Sequence, residues 1–172
     1  RSQGARKLAE TPVVTLHHLN NSHSHVSLWL MEELGAPYEI VHHQRDAKTF
    51  LSPDTLKAVN PIGKAPTIED HGISMVESTG VILYLLEVYG GGRLRPAPNT
   101  AEAMQFYQWL TFIEGSAKAP LMGVMRTRRS ASEEAKAAGQ AAVDAQLGVL
   151  NGALAGKTYI VGEAFSAADI QL

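Results

Sequence analysis

The segment Asn60-Pro61-Ile62-Gly63-Lys64-Ala65-Pro66-Thr67-Ile68 constrains the fold more than any other stretch of this 172-residue chain. Proline fixes φ and carries no N–H, so two prolines bracketing a glycine exclude a helix interior and describe a constrained loop. The residues after the loop read as a hairpin: Pro66-Thr67-Ile68, the turn Asp70-His71-Gly72, and Ile73-Ser74-Met75-Val76. On residue types alone, Ala65-Pro66 is either trans, opening a strand, or cis. In the cis case the backbone of Ala65 faces outward, where an extended ligand can pair with it like an added strand.

The flanking segments fix the rest of the first half. Val13-Val14-Thr15-Leu16 is a β-branched apolar run and reads as a strand, and Ser24 is placed to cap a helix ending at Gly35. Val26, Leu30 and Leu34 share one face of that helix. Tyr38-Glu39-Ile40-Val41 reads as a second strand, and Ser52-Pro53 as a cap with proline at the first helical position of a short helix to Val59. Ser78 opens a further helix carrying Val81, Leu85 and Val88. Two parallel strands need a helical crossover, so this order implies a mixed four-stranded sheet with helices against it, the thioredoxin-like α/β arrangement.

Gly90-Gly91-Gly92 and Arg95-Pro96-Ala97-Pro98 change the pattern. Beyond them the chain is alanine-rich and helical, with helices expected over Ala101–Ala117 and Ser132–Leu154 and a third opened by Ser166 with Asp169 three residues on. The expected organisation is therefore a leader at 1–10, an α/β domain at 11–92, a linker at 93–99 and an all-α helical bundle at 100–172. The last helix has room for only one or two turns, too few to stand on its own propensity, so the bundle reads as incomplete.

Composition bounds the chemistry. With 45% hydrophobic residues the chain can bury a real core, and a formal charge of −2 gives no general pull toward nucleic acid or an anionic membrane. There is no cysteine, which rules out disulfides, thiolate zinc sites and C-x-x-C redox chemistry, so any thiol chemistry must use a ligand's sulfur. No apolar run approaches the roughly 20 residues of a membrane span. The polar, basic Arg1–Glu10 is unlike a signal peptide, and the cytoplasm is the default compartment. Seven histidines invite a metal, but in His17-His18 and His42-His43 adjacent strand residues point to opposite faces, so neither pair chelates as a unit and no metal is expected.

Three motifs, in order and at matching spacing, resemble the glutathione S-transferase family: Leu19 to Gly35 (L-N-N-S-H-S-H-V-S-L-W-L-M-E-E-L-G), the proline loop, and Met75 to Leu85 (M-V-E-S-T-G-V-I-L-Y-L). The resemblance runs from about Thr11 to the C-terminus and is strongest before Arg95. It implies a cis Ala65-Pro66 bond, glutathione as co-substrate, a small and largely apolar electrophile as second substrate, and a homodimer. It also implies further helices after the last motif, and the segment between Met122 and Ser132 is short for the family.

A cysteine thiol is only about 3% ionised at neutral pH, so an enzyme of this kind must stabilise a sulfur anion. One hydroxyl bonded to that anion contributes about 1.5–3 kcal/mol, and a helix N-terminus adds a smaller favourable term. Ser22 stands at the position of the activating serine in the serine-type members and is the first choice for that donor, with Asn20, Asn21 and Ser24 as alternatives. His23 and Val26 stand where arginines are usual, which lowers the positive charge near the sulfur. Toward the rest of glutathione, the resemblance assigns Ser78 to the γ-glutamyl carboxylate, Glu77 to the ammonium group, Lys64 to the glycine carboxylate, and Ala65 with Pro66 to backbone pairing. Lys48 and Gln44 lie in the loop after the second strand, within reach of the same carboxylate, but are not assigned to it. Without the resemblance, Ser78 is an ordinary N-cap, Glu77 a solvated acid and Lys64 a solvated loop lysine. Tyr107, Leu110, Glu114 and Met122 are expected to line a second-substrate pocket between the domains, against the alternative that this stripe is plain core. The functional expectation is conjugation by a glutathione transferase. The alternatives are a non-catalytic glutathione-binding or scaffolding module, or a glutathione-dependent peroxidase or dehalogenase.

Overall fold

The proline loop feeds the hairpin that the sequence predicts: β3 (Thr67–Asp70) and β4 (Ile73–Val76) are antiparallel, joined by His71-Gly72. Both turn residues have positive φ, 50° and 74°, the requirement of the turn that matches strand twist in a two-residue hairpin. This is a computed structural model, and it describes residues 13–127 and 132–172. The predicted leader at 1–10 and the middle of the 122–132 segment lie outside the described residues.

Four strands form one sheet in the order β2-β1-β3-β4, with β1 (Val14–Leu19) parallel to β2 (Tyr38–His43) and antiparallel to β3. Both leading strands run two or three residues beyond their apolar cores, because the β1/β2 ladder continues through His17↔Val41, His18↔His42 and Leu19↔His43. Helix α1 (Ser24–Leu34) makes the crossover, burying Val26, Leu30, Met31 and Leu34. It ends as predicted at Gly35, whose φ of 62° is the left-handed C-cap conformation. Helix α2 (Asp54–Val59) starts one residue later than predicted: Pro53 is its extended N-cap, its carbonyl accepting the N–H groups of Leu56 and Lys57. Helix α3 (Ser78–Val88) buries Val81, Ile82, Leu85 and Leu86.

The described chain divides into two compact units, one through Leu85 and the other from Leu86 to Leu172. In the first, Val14, Leu16, Leu19, Leu30, Met31, Leu56, Ile68, Val81 and Leu85 are almost wholly buried. Each such side chain contributes about 1.5–3 kcal/mol of burial. The unit also buries polar groups in pairs. The histidines meet across strands: His17 Nδ1 lies 3.0 Å from His43 Nε2, His17 Nε2 is 2.8 Å from Glu69, and His43 Nδ1 is 2.9 Å from Thr55. Tyr84 donates to the buried Asp70 carboxylate at 2.7 Å, and burial together with that bond pushes the phenol up to about 12.

The second unit is helical: α4 (Ala101–Phe112), α5 (Lys118–Thr127), α6 (Glu133–Leu154) and α7 (Ala167–Gln171). The single helix predicted over Ala101–Ala117 is α-helical only to Phe112. Ile113–Ala117 then forms a π-helical turn, with Lys118 N–H bonded to Ile113 O, and the chain stays helical to Thr127. Ser132 caps α6 by accepting Ala135 N–H at 3.2 Å. At α7 the Asp169 carboxylate accepts the N–H and O–H of Ser166 at 2.9 Å each and the N–H of Ile160 at 2.8 Å.

Candidate glutathione site

The strand register brings the predicted site residues to one end of the sheet. Leu19 ends β1, Thr67 opens β3 opposite His17, and Val76 closes β4 opposite Thr67. The loop carrying Ser22, the loop carrying Lys64 and Pro66, and the Glu77-Ser78 start of α3 therefore leave the sheet at the same edge. His43, paired with Leu19, sends the loop of Gln44 and Lys48 out there too. The Ala65-Pro66 bond is cis.

Between β1 and α1 the chain is held by its own hydroxyls. Ser22 is half-buried; its Oγ donates to Leu19 O at 2.6 Å, accepts Ser24 N–H at 3.2 Å, and lies 2.8 Å from Ser24 Oγ. Ser24 is not the cap that its position predicts. It is the first helical residue, fully buried, and the N-cap place falls to His23. The Ser24 hydroxyl instead accepts Leu19 N–H at 3.3 Å and meets His18 Nδ1 at 2.9 Å. Turn formation by Ser22 satisfies the Ser24 N–H locally, which frees the Ser24 side chain to point inward.

Asn20 and Asn21, the amide alternatives to Ser22, are exposed, and Asn21 has a φ of 55°. Their carbonyls are taken by Arg45: Nε donates to Asn20 O at 3.1 Å and Nη2 to Asn21 O at 3.2 Å, while Nη1 donates to Phe50 O at 3.1 Å. The rigid guanidinium fork thus ties the β1–α1 loop to the β2–α2 loop. Arginine expected only at the places of His23 and Val26 leaves this cation unforeseen, because it arrives from the loop after β2; Val26 itself is core.

In the proline loop, Asn60 O accepts Gly63 N–H at 2.9 Å, closing a turn with Pro61 at its second position. Gly63 has a φ of 62°, and a Cβ there would lie 2.7 Å from the Lys57 side chain. Lys64 is exposed, with its carbonyl accepting Thr67 Oγ1–H. At the start of α3 it is Glu77, not Ser78, that holds the cap place: Glu77 O accepts Val81 N–H at 2.8 Å. Its φ of 79° is a strained conformation for a side chain other than glycine, of the kind that gathers at functional sites. Ser78 is the first helical residue and is buried, with Glu77 exposed beside it.

The electrostatics of this end are set by histidines. His18 is held below its ordinary value, chiefly by burial, then by the ring of His42 and less by His25, against the raising effect of the hydrogen bond it donates to the Asn20 side chain. His43 is likewise lowered by burial and by His17. Among the described residues no three His, Asp or Glu side chains converge as metal ligands, and no helix is long and apolar enough to cross a membrane.

Of the second-substrate candidates, all on the helical unit, Tyr107 is half-exposed and Met122 partly so, while Leu110 is wholly buried and offers a ligand no surface. Glu114 lies in the π-helical turn, paired with Lys118. The turn interrupts the α-helical spacing on which a single stripe depends.

Residues 16–93 match the profile "Glutathione S-transferase, N-terminal domain" and residues 95–172 match "Glutathione S-transferase, C-terminal domain". The chain is 33% identical over 105 residues to Glutathione S-transferase 3 of Schizosaccharomyces pombe, covering 60% of this chain and 42% of that protein. It is 30% identical over 132 residues to Elongation factor 1-gamma-B of Xenopus laevis, covering 72% of this chain and 28% of that one. Among solved structures, a glutathione S-transferase from Actinobacillus pleuropneumoniae superimposes with a TM-score of 0.83 at 32% identity, covering 93% of this chain and 74% of that one.

Proposed function

Given that this chain belongs to the glutathione S-transferase family, we propose that it binds glutathione along the gathered end of its sheet and transfers the thiolate to a small, largely apolar electrophile. One observation carries the reading: the register brings Ser22, the Lys64-Ala65-Pro66 loop and Glu77-Ser78 out at the same edge. Neighbouring strands are about 4.8 Å apart, so β1 to β4, two spacings, spans about 10 Å. Three extended residues reach about the same distance. A tripeptide laid across these strand ends meets each motif in turn.

In this reading the Ser22 hydroxyl swings from Leu19 O to donate to the sulfur, and Arg45 holds the loop that carries it. Ala65 pairs with the ligand backbone beside Pro66, and Lys64 faces the glycine carboxylate. Ser78 and the first N–H groups of α3, which no helical carbonyl can satisfy, receive the γ-glutamyl carboxylate, with Glu77 facing the ammonium group. Tyr107, Leu110, Glu114 and Met122 are the residues of the helical unit from which an electrophile surface is to be drawn, Leu110 only as backing. Rate comes from proximity and thiolate stabilisation. We place the protein in the cytoplasm as a homodimer with detoxifying activity. A peroxidase or dehalogenase reaction would use the same thiolate.

A second reading, a non-catalytic binding or scaffolding module, is favoured by one feature: Ser22 already spends its proton on a 2.6 Å bond to Leu19 O. The similarity to Elongation factor 1-gamma-B fits that reading. A pH titration of thiolate absorbance in bound glutathione separates the two. An ionised thiol at neutral pH, lost roughly 10- to 100-fold in Ser22→Ala while affinity changes far less, supports transfer. Binding with an unshifted thiol supports the module, and no binding defeats both.

A further inference from the structure

We propose that His18 and Ser24 are positioning residues that set the direction of the Ser22 hydroxyl, so that protonation of His18 and the presence of a sulfur anion at the site favour one another. This rests on the reading of Ser22 as the thiolate's donor.

The geometry is a line of three side chains. His18 Nδ1 is 2.9 Å from Ser24 Oγ, and Ser24 Oγ is 2.8 Å from Ser22 Oγ. A hydroxyl has one proton and two lone pairs, so each link can point only one way at a time. Ser24 Oγ already accepts Leu19 N–H, which leaves one lone pair and one proton to place.

When His18 is neutral and Nδ1 bears the lone pair, Ser24 donates to His18. Its remaining lone pair then attracts the Ser22 proton, in competition with Leu19 O. Both acceptors draw that proton away from a ligand. When His18 is protonated, Nδ1–H donates to Ser24, and the Ser24 proton turns to Ser22 Oγ at 2.8 Å in preference to the more distant Leu19 O at 3.3 Å. Ser22 Oγ now receives both Ser24 N–H and Ser24 O–H, and its own proton can no longer go to Ser24. A hydroxyl that accepts two hydrogen bonds is a stronger donor. The one bond to hydrogen that forms is N–H at His18, its proton leaving a solvent hydronium as water; the serine protons only rotate.

The groups facing His18 are His42 on β2, whose ring meets it edge-on at 5.5 Å, His25 on α1, the Asn20 side chain in the loop, and Ser24. The two histidines oppose a second positive charge, and so does burial, whereas Asn20 favours the charged ring. His18 is therefore neutral in the free protein at neutral pH, and the anion is what draws the proton in. Coupling of this kind is reciprocal.

The test is a histidine-resolved NMR titration of the whole chain with two glutathione derivatives. Glutathione sulfonate is negative at sulfur at every pH used, and S-methylglutathione is neutral there. His18 is expected to bind its proton about threefold more tightly with the sulfonate, and Ser24→Ala is expected to abolish that difference. Ser24→Cys, which keeps the volume and weakens the link, replaces it if Ser24→Ala does not fold. Equal proton affinity with the two derivatives overturns the coupling, and a difference that survives in the Ser24 variant overturns the hydroxyl line in favour of charge acting through space. Thiolate absorbance of bound glutathione in the wild type and in Ser22→Ala is read alongside. A thiolate lost in Ser22→Ala with no His18 response removes only the coupling, whereas a thiol that Ser22→Ala leaves unchanged removes the Ser22 reading and the coupling with it.

Discussion

The two units are stabilised by different means. The α/β unit has a deep apolar centre crossed by buried polar pairs: His17 with His43 and Glu69, Asp70 with Tyr84, Ser24 with His18. The helical unit buries Phe106, Trp109, Leu110, Ile160, Val161 and Ile170, and its main polar knot is the Asp169 carboxylate. Its longest helix, α6, buries no residue, and Leu147 and Val149 on it are half-exposed. The proposed ligand-facing chemistry thus rests on a scaffold whose polar groups are fixed by specific partners. The helical unit has packing at one end and open helix surface at the other.

The sharpest way to break this contrast is to remove the same side chain from each unit. Leu16→Ala, at a position with no exposure, is expected to cost about 2–5 kcal/mol, whereas Leu147→Ala on α6 should stay within about 0.5 kcal/mol. Denaturant unfolding of the two variants measures both, and equal losses would erase the distinction. Next in size is Asp169→Ala, which strips a charged acceptor from three donors and is expected to cost about 3 kcal/mol, read as a lower thermal midpoint. A loss near zero would mean that α7 does not depend on its knot.

The smallest effect is pH-dependent and falls on one unit alone, since all seven histidines precede Leu86. His18 and His43 have folded values below the unfolded 6.5, so the unfolded chain binds protons first as pH falls. Stability is full above 6.5 and declines below it. Hydrogen exchange between pH 7 and 5 should show protection falling in β1 and β2 while α6 and α7 hold. Equal loss in both units would place the sensitivity elsewhere.

The features legible in the sequence are local. The His71-Gly72 turn, the Gly35 cap, Ser132 before α6 and Asp169 three residues after Ser166 depend on neighbours a few positions away, and each stands where those neighbours place it. The features that escape the sequence depend on register. Adjacent histidines do face opposite ways within one strand, but the partners of His17 and His18 come from β2, 26 and 24 residues on. Arg45 escapes for the same reason, since nothing near Asn20 announces a guanidinium from beyond β2. Ser24 resembles a cap because serine at a helix start usually is one; here Ser22 takes over that local bond.

The π-helical turn at Ile113–Ala117 has a consequence for how this protein can change over generations. A turn of this kind holds one residue more than an α-helical turn, and one residue corresponds to about 100° of helix rotation. Deleting a single residue there would restore a regular helix, and because the wider turn already absorbs that residue's rotation, the face beyond it, Met122 and Met125 included, would keep nearly its present direction. The segment is thus a buffer: a one-codon loss there is taken up within the turn, and the surface of the helical unit beyond it keeps its aim.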